Sequence, residues 1–144
     1  MKPAAALEMT DRQKRLVRES FESIEEYAES VWLLFYGRWF SLEPSVRSLF
    51  PSSMQQQARK LMEMLRAVIQ AQDRFDALRP VLAELGRKHV AYGAQPSHYE
   101  SLRSALLWAL GQALGEEFGR ETRDAWTALL IAVSAAMLEG TSET

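Results

Sequence analysis

The chain has 144 residues, 47% of them hydrophobic and 25% charged, with a net charge of −2. That is one domain with enough apolar material for a sizeable core, so disorder is excluded, and no single-signed field exists to draw nucleic acid or an anionic membrane. Cysteine is absent, which rules out disulfides, cysteine-ligated zinc, iron–sulfur clusters, thiol catalysis and C-x-x-C-H attachment of a cofactor.

The opening "MKPAAALEMTDRQ" carries an Ala patch too short for the apolar core of a signal peptide, and no apolar run has the length of a membrane span. A cytoplasmic chain is the expectation. Residues 1–9 read as a loose tail, followed by one domain over 10–144. Thr10 and Gln13 form a T-x-x-Q capping box that starts a first helix near Asp11, with Leu16, Val17, Phe21 and Ile24 as its buried stripe.

The next helix, in "YAESVWLLFYGRWFSLEP", sets Trp32, Tyr36 and Phe40 on one face at four-residue steps. Gly37 inside it costs about 1 kcal/mol relative to Ala, a cost that a close approach by another helix would explain. Pro44 ends that run or starts a short helical turn, "PSVRSLF", which Phe50 and Pro51 close. A long helix follows in "MQQQARKLMEMLRAVIQAQ", with Ala58, Leu61, Met62, Leu65, Val68 and Ile69 as its stripe.

After a connection around Asp73, "FDALRPVLAELGRKHV" reads as a helix with Pro80 in or near its first turn. Leu78, Val81, Leu82, Leu85 and His89 fall near one face. Ser97 and Glu100 then read as a cap for a helix ending around Gly115 or Gly119. The last helix, "RDAWTALLIAVSAAMLE", is apolar almost all round and belongs at the centre. No segment alternates with the period of a strand, so the class is all-α, with six main helices and one short turn-like one. Periodicity leaves a simple bundle and an angled helix sandwich both open.

His89 and His98 are the only histidines. A histidine at a helix end suits the dipole there, which is the plain account of His89. The sharper account makes it a metal ligand, since a neutral imidazole nitrogen is a common donor to iron and Leu82 and Leu85 give it an apolar setting. Two histidines exclude a multi-histidine metal site. A macrocycle that brings four ligands of its own suits a single imidazole.

Gln57 and Leu61 lie four apart on one helix and point the same way. Gln57 is either a surface residue or a donor facing a ligand, and Leu61 either core or that donor's apolar neighbour. Tyr36 is either a core tyrosine with a backbone partner or a second donor into the same pocket. Phe50 is filler, or a ring lying against a flat cofactor.

Taken together, "LLFYGRWFSLEPSVRSLFP", "QQQARKLM", "LGRKHVAYGAQPSHYESLRSALL" and "DAW" resemble a bacterial globin, closest to the haem domain of flavohaemoglobins and their single-domain relatives. The likeness runs from about Leu16 to Met137. It implies the three-over-three helical sandwich and haem b (iron protoporphyrin IX). By motif, His89 resembles the proximal iron ligand, Phe50 the aromatic packed on the haem, Tyr36 and Gln57 the distal pair acting on the gas ligand, Leu61 the apolar residue one turn later, and Tyr99 the proximal-side tyrosine. Phe40 and Leu85 complete the apolar lining. Lys60 and Lys88 are placed to reach the propionates. His98 becomes a helix-start residue and no ligand.

Two features depart from that family. The position of its proximal-network glutamate falls near Thr141, with Glu139 close in sequence on a different face. A carboxylate there would make the imidazole more basic. No flavin or nicotinamide domain is expected, so multi-turnover redox chemistry calls for a separate reductase. The resemblance implies tight, reversible O₂ binding. Two neutral donors, each worth roughly 0.5–1.5 kcal/mol, slow O₂ release by about one to two decades. It also implies a capacity to turn nitric oxide into nitrate. The alternative is a non-enzymatic gas or redox sensor, or an O₂ store, acting through a partner. A monomer or weak homodimer is expected.

Overall fold

The computed structural model describes residues 8–50, 53–91 and 93–141. Most of the expected tail, Pro51 and the last three residues lie outside them.

The first helix, α1 (Asp11–Ile24), starts where the capping box predicts. The Thr10 hydroxyl accepts the Gln13 N–H at 3.1 Å, and the Gln13 side chain accepts the Thr10 N–H at 3.0 Å. A 3₁₀ turn leads into α2 (Ala28–Leu42), and Pro44 opens a second one, Pro44–Leu49. Ser53 caps α3 (Met54–Gln70), accepting from the Gln56 N–H. The helices α4 (Phe75–Ala91), α5 (Pro96–Leu114) and α6 (Arg120–Thr141) follow. At the end of α5 the chain turns on Gly115, whose φ of 55° favours glycine.

Four readings of the sequence are corrected here. Pro80 lies inside α4, since the helix already begins at Phe75, and its ring is exposed. Val81 is 62% exposed and faces water, off the stripe that buries Leu82. Proline fixes the N-terminal residue of α5: the helix opens at Pro96 and is capped by Gln95, not Ser97 with Glu100. Gly37 meets no neighbour, for a Cβ there would find nothing within 4 Å. The close helix approaches lie instead at Gly86 and Gly140, between α4 and α6.

The helices pack as two angled layers. α1, α3 and α4 form one, and α2, α5 and α6 the other. The principal contacts between layers are α4 on α6, α1 on α6 and α2 on α3, while α2 packs on α5 within its own layer. Trp32, Phe35 and Trp126 fill the middle, each at most 1% exposed, among Ile24, Leu65, Leu106, Leu110 and Leu129. The Trp126 indole N–H is satisfied by Ser20 Oγ at 2.8 Å, which ties α6 to α1. Among the described residues, α3 and α4 do not pack closely on each other, although they follow one another in the chain.

Candidate haem site

His89 occupies the last turn of α4. Its Nδ1 lies 2.7 Å from the Leu85 carbonyl oxygen one turn earlier. A carbonyl only accepts, so Nδ1 carries the proton and Nε2 keeps its lone pair. No partner for Nε2 occurs among the described residues. The ring is therefore held in the tautomer that a metal ligand requires, with its outer nitrogen left able to coordinate. Half-buried Leu85 stands beside it.

A second group of candidate residues is aromatic. Phe35, Tyr36, Trp39 and Phe40 come from consecutive turns of α2, and Phe50 from the end of the 3₁₀ turn that Pro44 opens. Ring centroids lie 5.7 Å apart for Tyr36 and Phe50, 5.9 Å for Tyr36 and Phe40, and 6.0 Å for Phe40 and Phe50. Such spacings fit edge-to-face and tilted contact. Tyr36 is 5% exposed and its hydroxyl donates to the Gln57 backbone carbonyl at 3.2 Å. Burial raises its pKa above the ordinary tyrosine value.

The structure thus joins Tyr36, Phe40, Phe50 and Gln57 in one group, with Leu61 a turn further along α3. His89 and Leu85 form another on α4. Phe40, Phe50, Leu61, Leu85 and Tyr99 are all partly exposed and all rest against the main core. The Tyr99 hydroxyl is buried without a hydrogen-bond partner, and burial raises its pKa too. A buried unpartnered hydroxyl costs free energy unless something meets it. Lys60 and Lys88 are both at the surface, on α3 and α4. Glu139 pairs with Arg79 at 3.1 Å, and Thr141 donates to the Leu138 carbonyl.

Sequence reasoning passed over one polar cluster. His98 is 8% exposed, and its Nδ1 accepts the Gln95 N–H at 3.1 Å, so its Nε2–H faces Glu43, 3.5 Å away. Ser101 donates to Glu43 and accepts the Trp39 indole N–H at 2.9 Å. This chain of bonds ties the end of α2 to the start of α5 and leaves His98 occupied. The E-P after α2 and the Q-P-S-H before α5 hold its members in sequence, but nothing local pairs them.

An imidazole held in one tautomer at the end of a helix that packs little on α3 suits a metal ligand in an all-α sandwich. The Globin family model matches residues 33–137, and the chain belongs to that family. It is similar to the flavohemoprotein of Deinococcus radiodurans, 30% identical over 123 residues, 83% of this chain and 30% of that protein. It is similar also to neuroglobin-1 of Oncorhynchus mykiss, 27% identical over 146 residues and 92% of each chain. In fold it matches a hexacoordinated heme protein from an anhydrobiotic tardigrade, with a TM-score of 0.84 at 21% identity, over 94% of this chain and 97% of that one. The chain is a haem-binding, gas-binding globin with the three-over-three fold. No helix among the described residues is long and apolar enough to cross a membrane.

Proposed function

We propose that the chain holds haem b through His89 and binds O₂ tightly and reversibly. With a separate reductase supplying electrons, it also converts nitric oxide to nitrate. The observation that carries this reading is the His89 ring, locked by Leu85 so that Nε2 is left as a base. The haem supplies the iron that takes the gas ligand and the electron that the reaction consumes: O₂, nitric oxide and one electron make one nitrate.

The remaining work falls to the chain. His89 holds the metal. Phe40, Phe50, Leu61 and Leu85 offer the apolar surface that a flat macrocycle needs and keep water away from it. Lys60 and Lys88 are the cations for its carboxylates. Of the two donors to the gas ligand expected in Tyr36 and Gln57, one remains. The Tyr36 proton is engaged by the Gln57 carbonyl, so Tyr36 anchors the first turn of α3 and the donor to the ligand is the Gln57 amide. One neutral hydrogen bond worth about 1 kcal/mol slows O₂ release about fivefold, less than the one to two decades of two donors.

The test is haem uptake followed by gas kinetics. The wild-type chain is expected to bind haem and form a stable O₂ complex, and His89→Ala to lose the pigment. Gln57→Leu should raise the O₂ off-rate about fivefold. Pigment uptake and a ferrous spectrum unchanged in His89→Ala would overturn the assignment. Nitric oxide consumption with a generic reductase separates dioxygenation from binding alone.

A further inference from the structure

A backbone-to-backbone helix contact lies one turn from His89. A Cβ added at Gly86 would overlap the Met137 backbone, carbonyl oxygen first, and one added at Gly140 would overlap the Ala83 backbone in the same way. The two glycines are reciprocal. Each is three residues from the backbone that its counterpart admits, so α4 and α6 run antiparallel with their main chains in contact. Polar links flank the crossing. Arg79 reaches Glu139 at 3.1 Å, and Arg87 reaches the Gly140 carbonyl at 3.4 Å. Other glycines show no such contact: a Cβ at Gly111 would meet the Phe118 ring at an ordinary 3.5 Å.

Main chain against main chain behaves differently from side chain against side chain. A side chain relieves pressure by changing rotamer, whereas two apposed backbones have no such freedom. The position of α4 at residue 86 is therefore set by α6. The neighbouring residue, Leu85, presents the carbonyl that holds His89 Nδ1 at 2.7 Å. A continuous line of short contacts runs from the Met137 backbone through Gly86 and the Leu85 carbonyl to the imidazole.

We propose that Gly86 is a positioning residue for the metal-binding imidazole: its contact with the Met137 backbone fixes the Leu85 carbonyl and thereby the direction of His89 Nε2. The proposal rests on the haem reading above and adds to it a part of α6 that touches no cofactor. Gly140 supplies the internal control. Its overlap is equally severe, but it falls at Ala83, six residues before His89, with no link to Leu85.

The experiment compares haem-loaded wild type, Gly86→Ala and Gly140→Ala by the iron–histidine stretching band of the ferrous, ligand-free protein. The thermal midpoint of each apo-protein is measured alongside. Both variants are expected to lose stability. Only Gly86→Ala is expected to displace or split the band. A band unmoved by Gly86→Ala, or moved as much by Gly140→Ala, would overturn the proposal. If Gly86→Ala does not fold, His89→Gly supplied with free imidazole or 1-methylimidazole decides it. Imidazole can donate to the Leu85 carbonyl and is expected to keep the wild-type band; 1-methylimidazole cannot, and is expected to shift it. Equal bands from the two ligands would show that Leu85 does not orient the ring. Failure of the haem reading itself is seen earlier, as absence of pigment in the wild type.

Discussion

Where α4 meets α6, backbone touches backbone at Gly86 and Gly140; where α2 meets the turn that follows it, rings interleave. Phe35 stacks on Trp39 at 5.6 Å, and Phe50 stands edge-on to Trp39 at the same distance. The first contact has no volume to lose and no room to gain any. The second is made of volume. One contact is thus broken by adding atoms and the other by removing them. The contact beside His89 is the one that tolerates least adjustment, as would suit the metal-holding role proposed for that residue.

The largest expected effect comes from emptying the aromatic group. Phe35 is 1% exposed and touches Tyr36 at 4.7 Å as well as Trp39. Phe35→Ala should cost about 3–5 kcal/mol, through lost transfer free energy and the cavity left behind. Chemical denaturation of the apo-protein measures it. A cost below about 1 kcal/mol would mean that the rings close over the gap, and that the aromatic group is far softer than its spacing implies.

Much of this architecture was legible in the sequence. The Thr10–Gln13 box, the Trp32–Tyr36 face and the end of α5 at Gly115 are local signals, and local signals survive into the fold. What was hidden is what two distant segments decide together. Gly37 looked like the close approach because it sits in a long helix of large residues. Gly86 and Gly140 carry the real one, and nothing in either segment alone announces the other. Val81 fits the apolar spacing of α4 yet faces water, because α6 covers only part of that helix. The site was read through motif resemblance more than through physics. Gln57 is ambiguous until the Tyr36 hydroxyl is seen on its carbonyl, and His98 until Glu43 is seen beside it.

Gly37 sharpens the comparison in the opposite direction. The same Gly→Ala change that destabilises α4 against α6 should stabilise α2. A Cβ at Gly37 meets nothing within 4 Å, and the residue lies mid-helix with ordinary helical backbone. Removing glycine's conformational freedom from the unfolded chain is worth about 0.5–1 kcal/mol. A rise in thermal midpoint for Gly37→Ala beside a fall for Gly86→Ala is the expected pair. A fall at both positions would mean that Gly37 is needed by a contact outside this chain, across the surface of exposed Leu33 and Leu34 and half-buried Trp108.

The smallest effect is a matter of pH, and its sign follows from burial. Desolvation raises the Tyr36 pKa in the folded state, and Tyr99 shifts the same way. The unfolded chain ionises its tyrosines near pH 10, so above that value the unfolded state holds fewer protons than the folded one. The contribution of Tyr36 to stability is complete below pH 10 and is lost as pH rises from there toward the folded value. At pH 10 the loss is only about 0.4 kcal/mol, RT ln 2, and it steepens beyond. Tyr36→Phe removes that group from the titration, so its stability should fall less steeply between pH 10 and 11 than that of the wild type. The two curves should run parallel below pH 9, offset by the lost bond to Gln57, about 1 kcal/mol. Parallel curves across the whole range would show that the hydroxyl ionises as freely when folded as in water, and that the aromatic group admits solvent to its centre.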